Sequence, residues 1–215
     1  MNRTRILACF AGVLAAMALS ACGGSNTVDT TVGGTVSGLA AGTSVTLLDN
    51  GGNPYTASSN GSFVFSQTVA SQTPYSVTVQ TQPAGQTCLV SNGAGNIDFA
   101  GDAVTSVGIT CLANVAVPVS VSGLSGGTLT LRLTLENQAG AATTINVTAD
   151  GNYTFPTLLS IGQTYAVDIK TQPVVAPPIV CSVASGASGG VVSVTTSGTV
   201  AITPLPPAVI TCSKT

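Results

Sequence analysis

The chain repeats itself, and this constrains its fold more than any other feature, because a duplicated unit must bury a core of its own twice. Val36-Ser37-Gly38-Leu39 returns as Val121-Ser122-Gly123-Leu124, and Leu48-Asp49-Asn50 as Leu135-Glu136-Asn137. Asn60-Gly61-Ser62-Phe63-Val64-Phe65 returns as Asp150-Gly151-Asn152-Tyr153-Thr154-Phe155. Tyr75 to Pro83 returns as Tyr165 to Pro173, and both copies close on Thr-Gln-Pro. Cys88 and Cys111 find equivalents in Cys181 and Cys212. The distance between equivalents grows only between matched segments, so the insertions fall at turns and loops, which tolerate them.

The matched segments have the period of a strand. In Tyr75-Ser76-Val77-Thr78-Val79-Gln80 large apolar residues alternate with polar ones, which puts one set on each face. Leu129, Leu131, Leu133 and Leu135 alternate in the same way, and Phe63 and Phe65 share a face, as do Tyr153 and Phe155. No segment after residue 22 carries a sustained helical period. About seven strands are expected in the first copy, near 33–40, 43–49, 54–58, 62–69, 74–82, 86–91 and 104–111. Asn60-Gly61 and Asp150-Gly151 read as hairpin turns, because a type I′ turn favours Asn-Gly or Asp-Gly. Short strands at this spacing argue for an all-β chain of two tandem antiparallel Ig-like or prealbumin-like sandwiches. The expected layout is 33–112 for the first repeat and 113–215 for the second, with Asn114 to Val117 as a short junction.

The first residues set the compartment. Arg3 and Arg5 precede an apolar run from Ile6 to Leu19, followed by Leu19-Ser20-Ala21-Cys22. The run is too short for the bilayer core, which needs about 20 apolar residues, and small residues precede a cleavage point. The tetrapeptide resembles the lipobox of bacterial lipoproteins. That resemblance implies a signal peptide over 1–21, cleavage before Cys22, and acylation at Cys22 as a bilayer anchor. Several acyl chains make such an anchor stable, where a single chain is marginal. Residues 22–32, rich in Gly, Thr and Ser, read as a flexible tether. Gly23 stands where an Asp would favour inner-membrane retention, so the outer membrane is the expected location.

An exported chain sits where disulfides persist. Of the 6 cysteines, Cys9 falls in the signal and Cys22 is the lipid site. The remaining four allow three connectivities. Repeat symmetry favours Cys88 with Cys111 and Cys181 with Cys212. Metal ligation is the poorer reading, since the chain has no histidine and no closely spaced cysteine pair.

These segments resemble a family of repeats in proteobacterial lipoproteins and surface proteins. Its elements are a V-S-G-L start, an L-x-N-x-G hairpin, an N-G-x-F-x-F strand, a Y-x-V-x-V-x-T-Q-P strand, a Cys and a closing V-x-C. Here they fall at Val36 to Leu39, Leu48 to Gly51, Asn60 to Phe65, Tyr75 to Pro83, Cys88 and Ile109 to Cys111. The resemblance implies a prealbumin-like sandwich akin to carboxypeptidase regulatory-like and Cna-B-type modules. The second copy departs from the pattern between Val174 and Ile179, where prolines are added, and in the Gly/Ser/Val segment before Cys212.

Composition removes several functions. Charged residues make up 6% of the chain, and after residue 21 only Arg132, Lys170 and Lys214 stand against 7 acids. Such a chain has no basic patch for nucleic acid. Without histidine no Ser-His-Asp or Cys-His arrangement exists. No enzyme and no cofactor are expected. Asp98 and Asp102 read as solvated loop acids rather than a catalytic pair. Asp49 to Asn53 reads as a turn rather than a calcium loop, lacking the closing Glu. Lys170 and Glu136 could be cast as an isopeptide pair, but Lys170 falls on the polar side of its strand and Gln80 stands there in the first copy. The sequons at Asn146 and Asn152 read as chance. Two roles remain: a structural or adhesive lipoprotein that contacts an envelope or extracellular protein, and a glycan-binding module. The latter needs an exposed aromatic, for which Tyr55 is the turn candidate.

Overall fold

A computed structural model of the chain describes residues 28–136, 142–184, 189–195 and 200–215. Every regular element among them is a strand. The first repeat holds β1 (Asp29–Ser37), β2 (Val45–Asp49), β3 (Gly52–Ala57), β4 (Gly61–Ala70), β5 (Pro74–Thr81), β6 (Gln86–Ser91), β7 (Ala94–Asn96) and β8 (Val104–Ala113). They form two sheets, β4-β1-β8-β6 and β3-β2-β5-β7. The second repeat holds β9 (Val115–Ser122), β10 (Leu129–Leu135), β11 (Ala142–Val147), β12 (Gly151–Leu159), β13 (Thr164–Thr171), β14 (Ile179–Val183), β15 (Gly189–Val191), β16 (Val194–Thr195), β17 (Ala201–Ile202) and β18 (Ala208–Lys214). Its sheets, β12-β9-β18-β14 and β11-β10-β13-β15, reproduce the first pair. The added β16–β17 hairpin sits before the last strand. It accounts for part of the greater distance between Cys181 and Cys212.

Alternation builds each core. Leu129, Leu131 and Leu133 are fully buried, and Phe65 and Phe155 lie at the centres of their sandwiches. The buried residues fall into two separate clusters, one per repeat. Each repeat therefore has its own core, as a duplicated unit requires.

Most pairings are antiparallel, but β1 runs parallel to β8 and β9 parallel to β18. This has a topological consequence. A chain that enters on β1 and leaves on a parallel neighbour enters at one end of the sandwich and leaves at the other.

Four expectations need correction. The stretch 22–32 is not all tether: β1 begins at Asp29, with Thr30 and Val32 buried. The glycines of β1 are there because its neighbours lie against them: a Cβ on Gly33 would stand 2.3 Å from the Phe63 carbonyl oxygen of β4, and one on Gly34 1.8 Å from the Val107 carbonyl oxygen of β8. The junction is also shorter than 114–117, since β8 ends at Ala113 and β9 begins at Val115. Asn60-Gly61 and Asp150-Gly151 are not hairpin turns. Each carries the chain from one sheet to the other, and Asn60 keeps negative φ while Gly61 is at 140°. The type I′ hairpin lies instead at Asn50-Gly51, with φ of 50° and 73°, between β2 and β3. The expectation of seven strands per copy missed β7, which has no β-branched or aromatic residue. β7 forms because Gly95 lets the Tyr75 ring lie over it.

Beside that hairpin the Asp49 carboxyl is buried. Burial pushes its pKa up, against the lowering effect of hydrogen bonds from the Ser76 and Asn50 backbone N–H groups. The folded chain therefore holds this proton to higher pH than the unfolded chain, whose Asp titrates near pH 4. Stability contributed here falls as pH rises from about 4 through the raised folded value. Asp49→Asn is expected to gain on the wild type over that window. Urea unfolding of both proteins at about pH 3.5 and pH 7 measures it, and equal differences at the two pH values would contradict it.

Candidate functional site

The repeated motifs assemble the frame. Gly38 and Gly123, the glycines of V-S-G-L, sit at φ of 73° and 80° directly against the carbonyls of Cys111 and Cys212. The residue after each is held from the side. Asn60 accepts from the Leu39 N–H at 2.8 Å and donates to its carbonyl at 3.0 Å. In the second repeat Asp150 accepts from the Gly123 and Leu124 N–H groups at 3.0 and 2.7 Å. The first repeat adds Gln86, buried, which accepts from Ala40 and donates to the Gly38 carbonyl. Ile179 takes that place in the second repeat and is buried as an apolar side chain.

The glutamine of Thr-Gln-Pro has a role that its sequence context did not disclose. Gln82 donates to the Cys88 carbonyl at 3.2 Å and accepts from the Cys88 N–H at 2.7 Å. Gln172 makes the same two bonds to Cys181, at 2.8 and 2.9 Å. Each amide stands in for a neighbouring strand along β6 or β14, which are sheet edges. Gln82→Leu keeps the bulk and removes both bonds. It is expected to destabilise the first repeat by about 1–2 kcal/mol in urea unfolding, at roughly 1 kcal/mol per bond.

Cys88 is bonded to Cys111 and Cys181 to Cys212, at sequence separations of 23 and 31. Each pair also faces across one ladder, β6–β8 or β14–β18, so the bridge joins strands within a sheet. Cys22 lies outside the described residues.

The remaining candidates do not converge. Asp98 accepts the Asp102 N–H at 2.9 Å in a turn. Lys170 is exposed, and the antiparallel β10–β13 register puts it at the opposite end of that ladder from Glu136. The neighbouring Asp168 instead meets its cross-strand partner Arg132 in a two-pronged ion pair, which the sequence reading had not paired. Asn146 accepts from the Thr130 hydroxyl at 2.9 Å. No cluster of metal-ligating side chains occurs among the described residues. Tyr55 is not a turn residue: it lies in β3 with its ring centroid 5.5 Å from Phe63 and 6.2 Å from Phe65. The glycan reading loses the aromatic it was built on.

The two most exposed large apolar side chains among the described residues lie at the two ends. The β13–β14 loop displays Val174, 92% exposed, at the end where β18 terminates; the Thr215 N–H bonds the Pro178 carbonyl at 3.2 Å. At the opposite end Phe99 is 81% exposed. Alternation could not reveal either residue, because both are in loops.

Between these ends a single residue, Asn114, connects β8 to β9. Its N–H bonds the Gly85 carbonyl at 2.8 Å and its side-chain oxygen accepts from the Thr87 hydroxyl at 2.7 Å, both in the first repeat. From the second repeat the Ile161 N–H reaches the same Thr87 hydroxyl at 3.4 Å, and Ser160 stands 3.5 Å from the Asn114 amide nitrogen. The top of one sandwich thus meets the base of the next, with Val104 to Ser122 a nearly continuous extended run of up to about 60 Å.

No protein-family model matches the chain, and no curated protein does. Among solved structures it is similar to a streptococcal ancillary pilin, at 13% identity and a TM-score of 0.43, over 89% of this chain and 64% of that one. It is also similar to a C-terminal fragment of the pilus adhesin SpaC from Lactobacillus rhamnosus GG, at 12% identity and a TM-score of 0.31, over 86% of this chain and 97% of the fragment. The major pilin protein of Streptococcus pyogenes matches at 10% identity and a TM-score of 0.30, over 87% of this chain and 97% of that one. Likeness this distant says nothing of what the chain binds. The molecule itself is two disulfide-bonded β-sandwiches joined end to end.

Proposed function

We propose that this chain is a cell-envelope lipoprotein with a structural or adhesive role, anchored through acylated Cys22 and engaging a protein partner at its far end. The supporting observation is the polarity of the two repeats. Parallel β1 and β8 bring the chain in at one end and out at the other, and Asn114 passes it directly into β9. An anchor before β1 and the exposed Val174 loop are therefore at opposite ends. The lipobox-like Leu19 to Cys22 supports the anchor, and its Gly23 supports the outer membrane.

Fractionation of wild type and Cys22→Ala, with a photo-crosslinking residue at Val174, tests this. Wild type is expected in the membrane, Cys22→Ala in the soluble fraction, and Val174 crosslinked to one envelope or extracellular protein. Protease added to intact cells tells surface from periplasmic exposure. A Cys22→Ala protein that stays in the membrane refutes the anchor; a membrane-bound wild type with no crosslink at Val174 refutes the distal contact.

A further inference from the structure

We infer that the Phe99 turn is a second membrane contact, which docks the base of the first repeat on the lipid surface beside the anchor; this rests on the proposed acylation of Cys22. Phe99 heads a turn closed by the Asp98 carboxylate on the Asp102 N–H at 2.9 Å and by the Gly101 N–H on the Asp98 carbonyl at 3.3 Å. The turn is fixed from behind. Ile97 is buried, its N–H bonds the Thr73 carbonyl at 2.9 Å, and its carbonyl accepts from the Gln72 N–H at 3.0 Å. A rigid mount is a poor place for a large apolar ring to point at water without a partner.

Two facts name the occupant. The first is position: a Cβ on Gly101 would lie 2.7 Å from Cβ of Val28, so the turn abuts the residue that leads into β1. Val28 is itself 47% exposed. The second is reach. Val28 is six positions after Cys22, a span of at most about 21 Å when fully extended. Because β1 starts at Asp29, little chain is left to hold the sandwich off the bilayer. An acylated Cys22 keeps Phe99 and Val28 within range of the headgroup layer, where an aromatic ring can bury its apolar face.

The charges around the ring set the lipid preference. Asp29, Asp98 and Asp102 are exposed at this end, and Asp49 is buried there; the first repeat carries no cation among its described residues. Such a base suits a zwitterionic surface, and anionic lipid repels it.

The chain has no tryptophan, so Phe99→Trp and, separately, Val174→Trp each introduce one reporter. The lipidated, full-length mature proteins are placed in phosphatidylcholine–phosphatidylethanolamine vesicles, some with bromine in the acyl chains. Phe99→Trp is expected to emit blue-shifted light and to be quenched by bromine, less so when anionic lipid is added. Val174→Trp is expected to emit as in water and escape quenching. A Phe99→Trp protein that floats with vesicles yet emits as in buffer overturns the docking and leaves the anchor standing. Equal quenching of the two reporters overturns it as well, since the molecule would then lie flat. A lipid-free Cys22→Ala protein that floats equally well overturns the anchor and this inference together.

Discussion

Cys181→Ala combined with Cys212→Ala is expected to cost the second repeat about 2–5 kcal/mol and to lower its melting transition, while the first repeat melts nearly unchanged. The basis lies in what holds β14. It is an edge strand whose ladder partner among the described residues is β18. Apart from that ladder and the Gln172 amide, the Cys181–Cys212 bridge is its main tie. Closing a loop of this length in the unfolded chain accounts for roughly 3–4 kcal/mol in the chain-entropy account. The core offers little to replace it, with aromatic residues at 4% of the chain and no tryptophan. Calorimetry of the variant, with the first repeat as the internal reference, measures the loss. Hydrogen exchange localises it, and protection is expected to fall first over Ile179–Val183. A variant that unfolds like the wild type would show that β14 is held by the ladder and Gln172 alone.

Gly123→Ala is expected to be nearly as damaging, and Gly162→Ala supplies its control. Both glycines have a φ of 80°. Among the described residues no atom lies within 4 Å of where a Cβ on Gly162 would stand, whereas at Gly123 the Cys212 carbonyl oxygen would lie 2.1 Å away. Alanine at Gly162 therefore incurs only the left-handed backbone penalty, about 1–2 kcal/mol. At Gly123 the same penalty is joined by an overlap with backbone, which cannot rotate aside, adding about 1–3 kcal/mol. Equal melting shifts in the two variants would mean that the close approach to β18 does not matter.

What could be read in the sequence was what period two encodes. Tyr165 and Val167, and the leucines of β10, gave away their buried face because a strand repeats its geometry every second residue. Local chemistry misled where the chain turned between sheets. Asn60-Gly61 has the composition of a hairpin, yet Asn60 is used to hold both backbone groups of Leu39, a contact across 21 positions of sequence. The same holds for Thr-Gln-Pro. A repeated glutamine signals a fixed role, but only the fold shows that its amide meets a cysteine backbone. Asp29 to Val32 looked like tether because short polar residues suit a flexible segment as well as the start of β1. The exposed ends were the least legible part of the candidate site. Phe99 and Val174 belong to no period, and their meaning depends on which end of the sandwich each loop occupies.

The parallel arrangement of β1 and β8 also decides how the molecule takes load. Were the molecule held before β1, as the proposed anchor would hold it, and pulled from the far end, β1 would be drawn one way along its axis and β8 the other. The hydrogen bonds between them then lie across the force and are strained together, not opened one by one as at the end of a hairpin. In the second repeat β9 and β18 repeat the geometry. The Cys88–Cys111 and Cys181–Cys212 bridges shut the segments between them out of any extension. Two sandwiches built this way yield late under tension and release little chain when they do.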